Sequence, residues 1–271
     1  MSATSRTRTI LVTGAEDRLG FATAERLIAE GDTVIAHILD RTRADDTLRS
    51  LQAGARPGQV RIVHADFARL TEVDELGRAL AAELPGLDAL INTASMAAPQ
   101  ARTRTQDGHE LTFQVNYLAP QRLTMALAPA LAAAHGRVVN VTSRLHFDGV
   151  IDYSELDRNS DVYTPIAIYA QAKLALTMFS RSLAETGPEG LTSVSVYPTD
   201  FEIDVPQSSS HRDAPLDAAA ELLVALSTPD TPVVNGGYYE GWDRVNAAAP
   251  VRNSRARTRL ATWSNQLART A

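Results

Sequence analysis

The 271-residue chain contains no cysteine. Disulfides, a thiolate nucleophile and cysteine-ligated metals are therefore excluded, and the composition fits a reducing compartment. Dense blocks of Lys or Arg are also missing, and 26 basic against 32 acidic residues leave a net charge of -6. A nucleic-acid footprint and binding to anionic lipid are thereby disfavoured. The arginines at 252, 255, 257 and 259 are interleaved with small and polar residues and read as a solvated helix face. No run approaches the roughly 18 apolar residues that span a bilayer, so no membrane insertion is expected. The stretch Met1 to Arg8 is short and polar, without the apolar core or cleavage site of a signal peptide. A cytoplasmic location is the expectation. There is no HExxH, no carboxylate–histidine cluster at metal spacing and no GxSxG elbow, so no metal site and no hydrolase nucleophile are expected. The histidines at 37, 64, 109, 135, 146 and 211 are scattered and read as core or surface residues.

What is present is an alternation. Short apolar runs recur at Thr9 to Thr13, Thr33 to Ile38, Val60 to His64, Ala89 to Asn92, Arg137 to Val141, Thr192 to Tyr197 and Pro232 to Tyr238. Between them lie helical patterns at Phe21 to Glu30, Thr71 to Glu83, Leu111 to Ala134, Ile166 to Glu185 and Leu216 to Ser227, with a last one at Arg255 to Arg269. Parallel neighbours cannot be joined by tight hairpins, so the order implies right-handed crossovers and helices on both faces of the sheet. The expectation is a single α/β domain over 1–271, a Rossmann-type doubly wound fold on a mainly seven-stranded parallel sheet. Ligands of such sheets bind beyond the carboxyl ends of the strands, where strand order reverses. Two long irregular stretches, 144–165 and 199–215, read as lids or as surface insertions.

The first strand runs into TGAEDRLG, Thr13 to Gly20, and a helix follows. Glycine allows a tight turn and close backbone approach to a pyrophosphate, and the helix start attracts its charge. This run resembles the TGxxxGxG loop of the short-chain dehydrogenase/reductase family. The resemblance implies phosphate contacts from Gly14, Arg18, Leu19 and Gly20, with Arg18 in place of the middle glycine. Arg18 either reaches a phosphate itself or points to solvent and crowds the site. At the end of the second strand, Ile38 and Leu39 stand where a ribose-reading side chain is expected, with Asp40, Arg41 and Arg43 just beyond. Arg18, Arg41 and Arg43 tilt the choice towards NADP(H), whereas Asp40 would serve NAD(H). The likeness continues through Asp66 and Phe67, implied to contact adenine, and through LINTAS, Leu90 to Ser95, where Asn92 has a sheet-stabilising, ribose-side or capping role and Ala94 lies on the cofactor side.

IYAQAK puts Tyr169 and Lys173 one helical turn apart on one face. Ser143 closes the strand RVVNVTS, and Asn116 lies in FQVNYLAP on the preceding helix. These four resemble the Asn, Ser, Tyr and Lys tetrad of the same family, in the same chain order. An unperturbed tyrosine has a pKa of about 10, and a nearby ammonium favours its phenolate, which makes proton exchange near neutrality accessible. The resemblance implies that Tyr169 is the general acid/base and that Ser143 holds the reacting oxygen. It further implies that Lys173 binds the nicotinamide ribose, that Asn116 holds a relay water and that Pro198 flanks the cofactor.

TQDGHELTFQVN, with Thr105, Asp107, Gly108, Glu110, Phe113 and Asn116, is similar to TxDGxExxFxVN of the retinol-dehydrogenase-like branch. That branch implies a small lipophilic ketone, aldehyde or alcohol as substrate. Arg18, Ser95, Ala119 and Thr199 stand where the family usually has glycine, and Ile203 where threonine is common, which suggests a weakened, re-angled or unusually selective cofactor site. The expected activity is NAD(P)H-dependent interconversion of a carbonyl and an alcohol. Alternatives are redox-neutral dehydration, isomerisation or cyclisation, and a cofactor-sensing or scaffold role without turnover. Family pairing through the helices at 111–134 and 166–185 implies a homodimer or homotetramer, unless the last helix caps that surface.

Overall fold

The computed structural model describes residues 7–153, 155–156, 162–198 and 214–270. The first six predicted strands have the predicted bounds: β1 (Thr9–Thr13), β2 (Thr33–Ile38), β3 (Val60–His64), β4 (Ala89–Asn92), β5 (Arg137–Val141) and β6 (Thr192–Tyr197). Strands β1, β2, β4 and β5 place successive apolar residues in two cores, one on each face of the sheet. Ile10 and Val12 of β1 pack with Leu19 and Leu27 of α1 (Arg18–Glu30), while Leu11 packs on the opposite face with Val73 and Leu80 of α3 (Leu70–Glu83). A strand covered on both faces needs apolar residues at almost every position, which is why β1 and β4 lack a polar alternation. In contrast, β6 alternates the buried Ser193 and Ser195 with its valines, and the edge strand β3 carries Arg61 and His64. Between β2 and β3 lies α2 (Ala44–Gln52), which the predicted pattern omits because only Thr47 and Leu51 of its nine residues are buried.

The strand order is β3-β2-β1-β4-β5-β6-β7-β8. It reverses between β1 and β4, so the crevice of a doubly wound sheet opens at their carboxyl ends. The seventh strand differs from its predicted range: β7 is Tyr238–Glu240, parallel to β6, and an eighth strand, β8 (Asp243–Val245), pairs with it antiparallel. Pro232 has no N–H for a ladder, and Gly236 at φ +76 turns the chain, its N–H donating to Ser193 O at 2.7 Å. The sheet is thus seven parallel strands with one antiparallel edge.

The long predicted helix comprises α4 (Leu111–Phe113), a π-helical segment Gln114–Leu118 and α5 (Ala119–Ala133). Then come α6 (Pro165–Thr186), α7 (Ala214–Ser227), α8 (Ala249–Arg252) and α9 (Ser254–Thr270). The first expected lid begins as part of the packed fold, a 3-10 turn at Arg144–Phe147 with His146 fully buried. The second, 199–215, lies outside the described residues except for Ala214 and Pro215, which open α7.

Candidate active site

The end of β5 is keyed to α6 by two threonines. Thr142 Oγ1 lies 2.9 Å from Thr177 Oγ1, and both hydroxyls reach the Lys173 carbonyl, at 3.3 and 2.8 Å. This register brings the fully buried Lys173 ammonium to 3.4 Å from Val141 O, and to 5.4 Å from the centroid of the Tyr169 ring. Tyr169 is itself buried, one turn earlier on the same helix.

Ser143 follows Thr142 directly. Its extended backbone caps the 3-10 turn, and its Oγ accepts the Leu145 N–H at 3.2 Å. The chain leaving this turn lies hard against α6: a β-carbon on Gly149 would sit 2.5 Å from Ala170 O. Ser143 and Tyr169 are therefore carried by two elements in direct backbone contact. Below Ser143, His146 accepts the Ala248 N–H through Nε2 at 3.3 Å, so its Nδ1 carries the hydrogen donated to Ser143 O at 2.8 Å. Burial lowers the His146 pKa and keeps this neutral tautomer. Its brace between residues 143 and 248 leaves no local pattern in the sequence.

Asn116 lies in the π-helical segment and is fully buried. Its Oδ1 accepts the Met96 N–H at 2.8 Å and its Nδ2 donates to Met96 O at 2.9 Å. The side chain thus pins the loop after β4, and a relay water as implied by the resemblance would use the remaining lone pair of Oδ1. The preceding stretch fixes this segment in place. Asp107 Oδ2 accepts from Leu70 N, the start of α3, at 2.9 Å and from Gln114 Nε2 at 2.8 Å, while Glu110 caps α4 through Phe113 N at 2.7 Å. Gly108, at φ +86, makes the bend that allows both.

On the other side of the crevice, Gly14 adopts φ +65, and a β-carbon there would come within 2.8 Å of Ala94 Cα. At Gly20 it would lie 2.2 Å from Gly14 O. Both glycines are thus required by close backbone approach. Thr93 Oγ1 donates to Thr13 O, and Ala94 N–H to Thr13 Oγ1 at 3.1 Å, closing the loop onto β4. Asp17, at the N-cap of α1, makes no side-chain cap. The first-turn amides of Arg18, Leu19 and Gly20 form, as at any helix start, the positive end of the helix. Arg18 is half-buried and opens the helix with negative φ, as Ser95 has negative φ in the loop after β4. Losing glycine at these positions costs space and no backbone strain. Ala119 fits as the buried first residue of α5, whereas Thr199 and Ile203 lie outside the described residues. The cradle fits the pyrophosphate of a nicotinamide dinucleotide.

Asp66 Oδ1 accepts the Ala68 N–H at 2.8 Å. The Phe67 ring is fully buried and stacks on His37 at 4.5 Å, so any adenine contact from Phe67 falls to its backbone. His37, a residue the sequence left as core or surface, supports the phosphate loop. Its Nδ1 accepts the Gly14 N–H at 3.4 Å and its Nε2 donates to Ala65 O at 3.0 Å. Burial lowers its pKa to about 4 and holds it neutral. The one hint in the sequence is a histidine inside an otherwise apolar strand. Of the roles open to Asn92, the structure displays the sheet-stabilising one: Nδ2 donates to Asn140 Oδ1 at 2.9 Å and to Thr124 Oγ1 at 3.2 Å. Pro198 is buried just past β6, at the same edge of the sheet. Among the described residues no group of three or more His, Asp or Glu could hold a metal, and no helix is long and apolar enough to cross a membrane.

Residues 8–214 match the short chain dehydrogenase family. The chain belongs to this family, in its retinol-dehydrogenase-like branch. Retinol dehydrogenase 13 of Mus musculus is 33% identical over 67% of this chain and 54% of its own length. Retinol dehydrogenase 14 of the same species is 36% identical over 65% of this chain and 56% of its own. The chain thus spans about half the length of these relatives. It is also similar to the Streptomyces sp. (strain C5) protein named "Putative daunorubicin C-13 ketoreductase DnrU", 33% identical over 86% of this chain and 82% of that one. A crystal structure of an uncharacterised protein from Mycobacterium paratuberculosis superposes with a TM-score of 0.76, at 28% identity, over 96% of this chain and 92% of the other.

Proposed function

We propose that this protein is an NAD(P)(H)-dependent oxidoreductase that interconverts a carbonyl and an alcohol on a small lipophilic substrate, with Tyr169 as general acid/base. The observation that carries the reading is the buried Lys173 ammonium set 5.4 Å from the Tyr169 ring, beside the strand end that bears Ser143. The relative named as a ketoreductase supports a carbonyl substrate, and the retinol dehydrogenases support a lipophilic one.

The first-turn amides of Arg18, Leu19 and Gly20, with the Gly14 turn, would hold the pyrophosphate of the dinucleotide. Asp66 and the Phe67 backbone would meet the adenine, Ala94 and Pro198 would flank the cofactor, and Lys173 would bind the nicotinamide ribose. The bound nicotinamide supplies or accepts the hydride. Tyr169 gives its phenolic proton to the carbonyl oxygen in reduction and takes it back in oxidation. The positive charge of Lys173 stabilises the phenolate left behind. Ser143 donates a hydrogen bond to the same oxygen, a positioning and electrostatic role. Asn116 acts through the loop after β4, keeping the floor of the crevice in register.

The test is Tyr169→Phe, assayed with ketones and aldehydes of increasing apolar size. Turnover should fall by about 10² to 10⁴-fold while the dissociation constant of the nucleotide stays put. Undiminished turnover in the variant would remove Tyr169 from the chemistry.

A further inference from the structure

The end of β2 carries no polar side chain, since Ile38 closes the strand and Leu39 follows. Asp40, the next acid, is fully exposed and committed to a local turn. Its Oδ1 accepts both the Thr42 N–H at 2.8 Å and the Thr42 hydroxyl at 2.7 Å, which opens the 3-10 turn Arg41–Arg43. Arg43 at the end of that turn donates to the Glu16 carbonyl and lies 3.4 Å from Asp17 Oδ1.

A different carboxylate reaches this place. Glu16, in the middle of the β1–α1 loop, is only 8% exposed. Its Oε1 accepts the Leu39 N–H at 2.6 Å, across the gap between β1 and β2. Its Oε2 is buried and has no hydrogen-bond partner among the described residues. A buried carboxylate oxygen without a donor is costly, so the site calls for a donor entering between the loop and the end of β2. A ribose hydroxyl can donate to it. A 2′-phosphate, with a second pKa of about 6, is mainly a dianion at neutral pH and a poor donor, and its charge would meet Glu16 and Asp17 together.

Resting on the oxidoreductase reading above, we propose that Glu16 is the residue that reads the adenosine ribose, and that it selects NAD(H) over NADP(H). The acid usually looked for on the strand end is supplied here by the glycine-rich loop. Of the arginines that tilt the sequence towards NADP(H), Arg43 is shared between the loop backbone and Asp17. Burial also raises the Glu16 pKa, with the neighbouring Asp17 charge, against the pull of the Leu39, Glu16 and Asp40 N–H groups, a desolvation that a hydroxyl donor would partly relieve.

The test is calorimetric titration of the intact protein with NADH and with NADPH, repeated on Glu16→Gln, whose fold is checked by its thermal transition. Wild type should bind NADH at least tenfold more tightly. Glu16→Gln, which keeps the shape and drops the charge, should bring the two affinities within about threefold, mainly by a gain for NADPH. Equal or tighter NADPH binding by wild type overturns the assignment and leaves the oxidoreductase reading standing, as does a preference unchanged in Glu16→Gln. Failure of wild type to bind either nucleotide overturns both.

Discussion

Gly149 lies so close to Ala170 that a β-carbon on it would stand 2.5 Å from the Ala170 carbonyl oxygen and 2.8 Å from Leu174 Cβ. Nothing flexible lines that contact, because the nearest atom belongs to the backbone of α6. The chain carrying Ser143 can rest on the Tyr169 helix only while residue 149 has no side chain.

Gly149→Ala should therefore move the Ser143 turn away from α6 by a fraction of an ångström to an ångström. Displacements of that size in a catalytic constellation lower turnover by about tenfold to a hundredfold. The loss should fall on kcat with nucleotide affinity unchanged, because the phosphate cradle is on β1 and α1. Steady-state kinetics with calorimetry on the same preparation read both quantities. An unchanged kcat would show that the turn tolerates the shift.

The sequence disclosed what is periodic and local. Strands β1, β2, β4 and β5 are legible to the residue because both their faces are covered and the apolar runs stop where the cover stops, and β3 and β6 because their valines and isoleucine stand out between polar residues. The Tyr169–Lys173 pair is legible because i and i+4 share a helix face. Pro232 to Tyr238 misleads because β-branched Val233 and Val234 look like a strand, while the backbone is decided by Pro232 and the left-handed Gly236. His37, His146 and Glu16 were passed over for one common reason. Their partners are Gly14, Ala248 and Leu39, distant in sequence, and contacts of that kind leave no spacing to read.

The burial of His37 beneath the phosphate loop gives the fold a defined acid response. The folded pKa of about 4 is below the ordinary 6.5, so between these values the unfolded chain binds a proton that the folded chain refuses. Stability is therefore full above about pH 6.5 and falls as the pH is lowered towards about 4, by on the order of 3 kcal/mol from this residue. Urea unfolding at pH 7 and pH 4.5 should show the drop, and His37→Gln should make it smaller by about 1–3 kcal/mol whatever its own baseline stability. An equal drop in both proteins would mean that His37 titrates normally in the folded state.

Part of the surface through which family members are expected to pair, on the π-helical segment and α6, lies under α9 of the same chain. Helix α9 rests on the π-helical segment through a 2.6 Å hydrogen bond between the Tyr117 and Ser264 hydroxyls, and on α6 through the ion pair of Arg257 with Glu185. The arrangement is made from within: Arg257 is 5% exposed and also donates to Val251 O at 2.6 Å, Tyr153 donates to Ala256 O at 2.8 Å, and Leu260 is buried at 2%. A partner copy using the same helices would have to displace α9 and leave the buried Tyr117 hydroxyl without its acceptor, a cost of about 1–3 kcal/mol before any new contact forms. Light scattering on the intact protein should therefore give the mass of one chain across the micromolar range. Leu260→Asp, which places a charge under α9, should loosen it and bring out self-association through the uncovered apolar face. A dimer or tetramer mass for the intact chain would show that pairing occurs with α9 in place, through another surface.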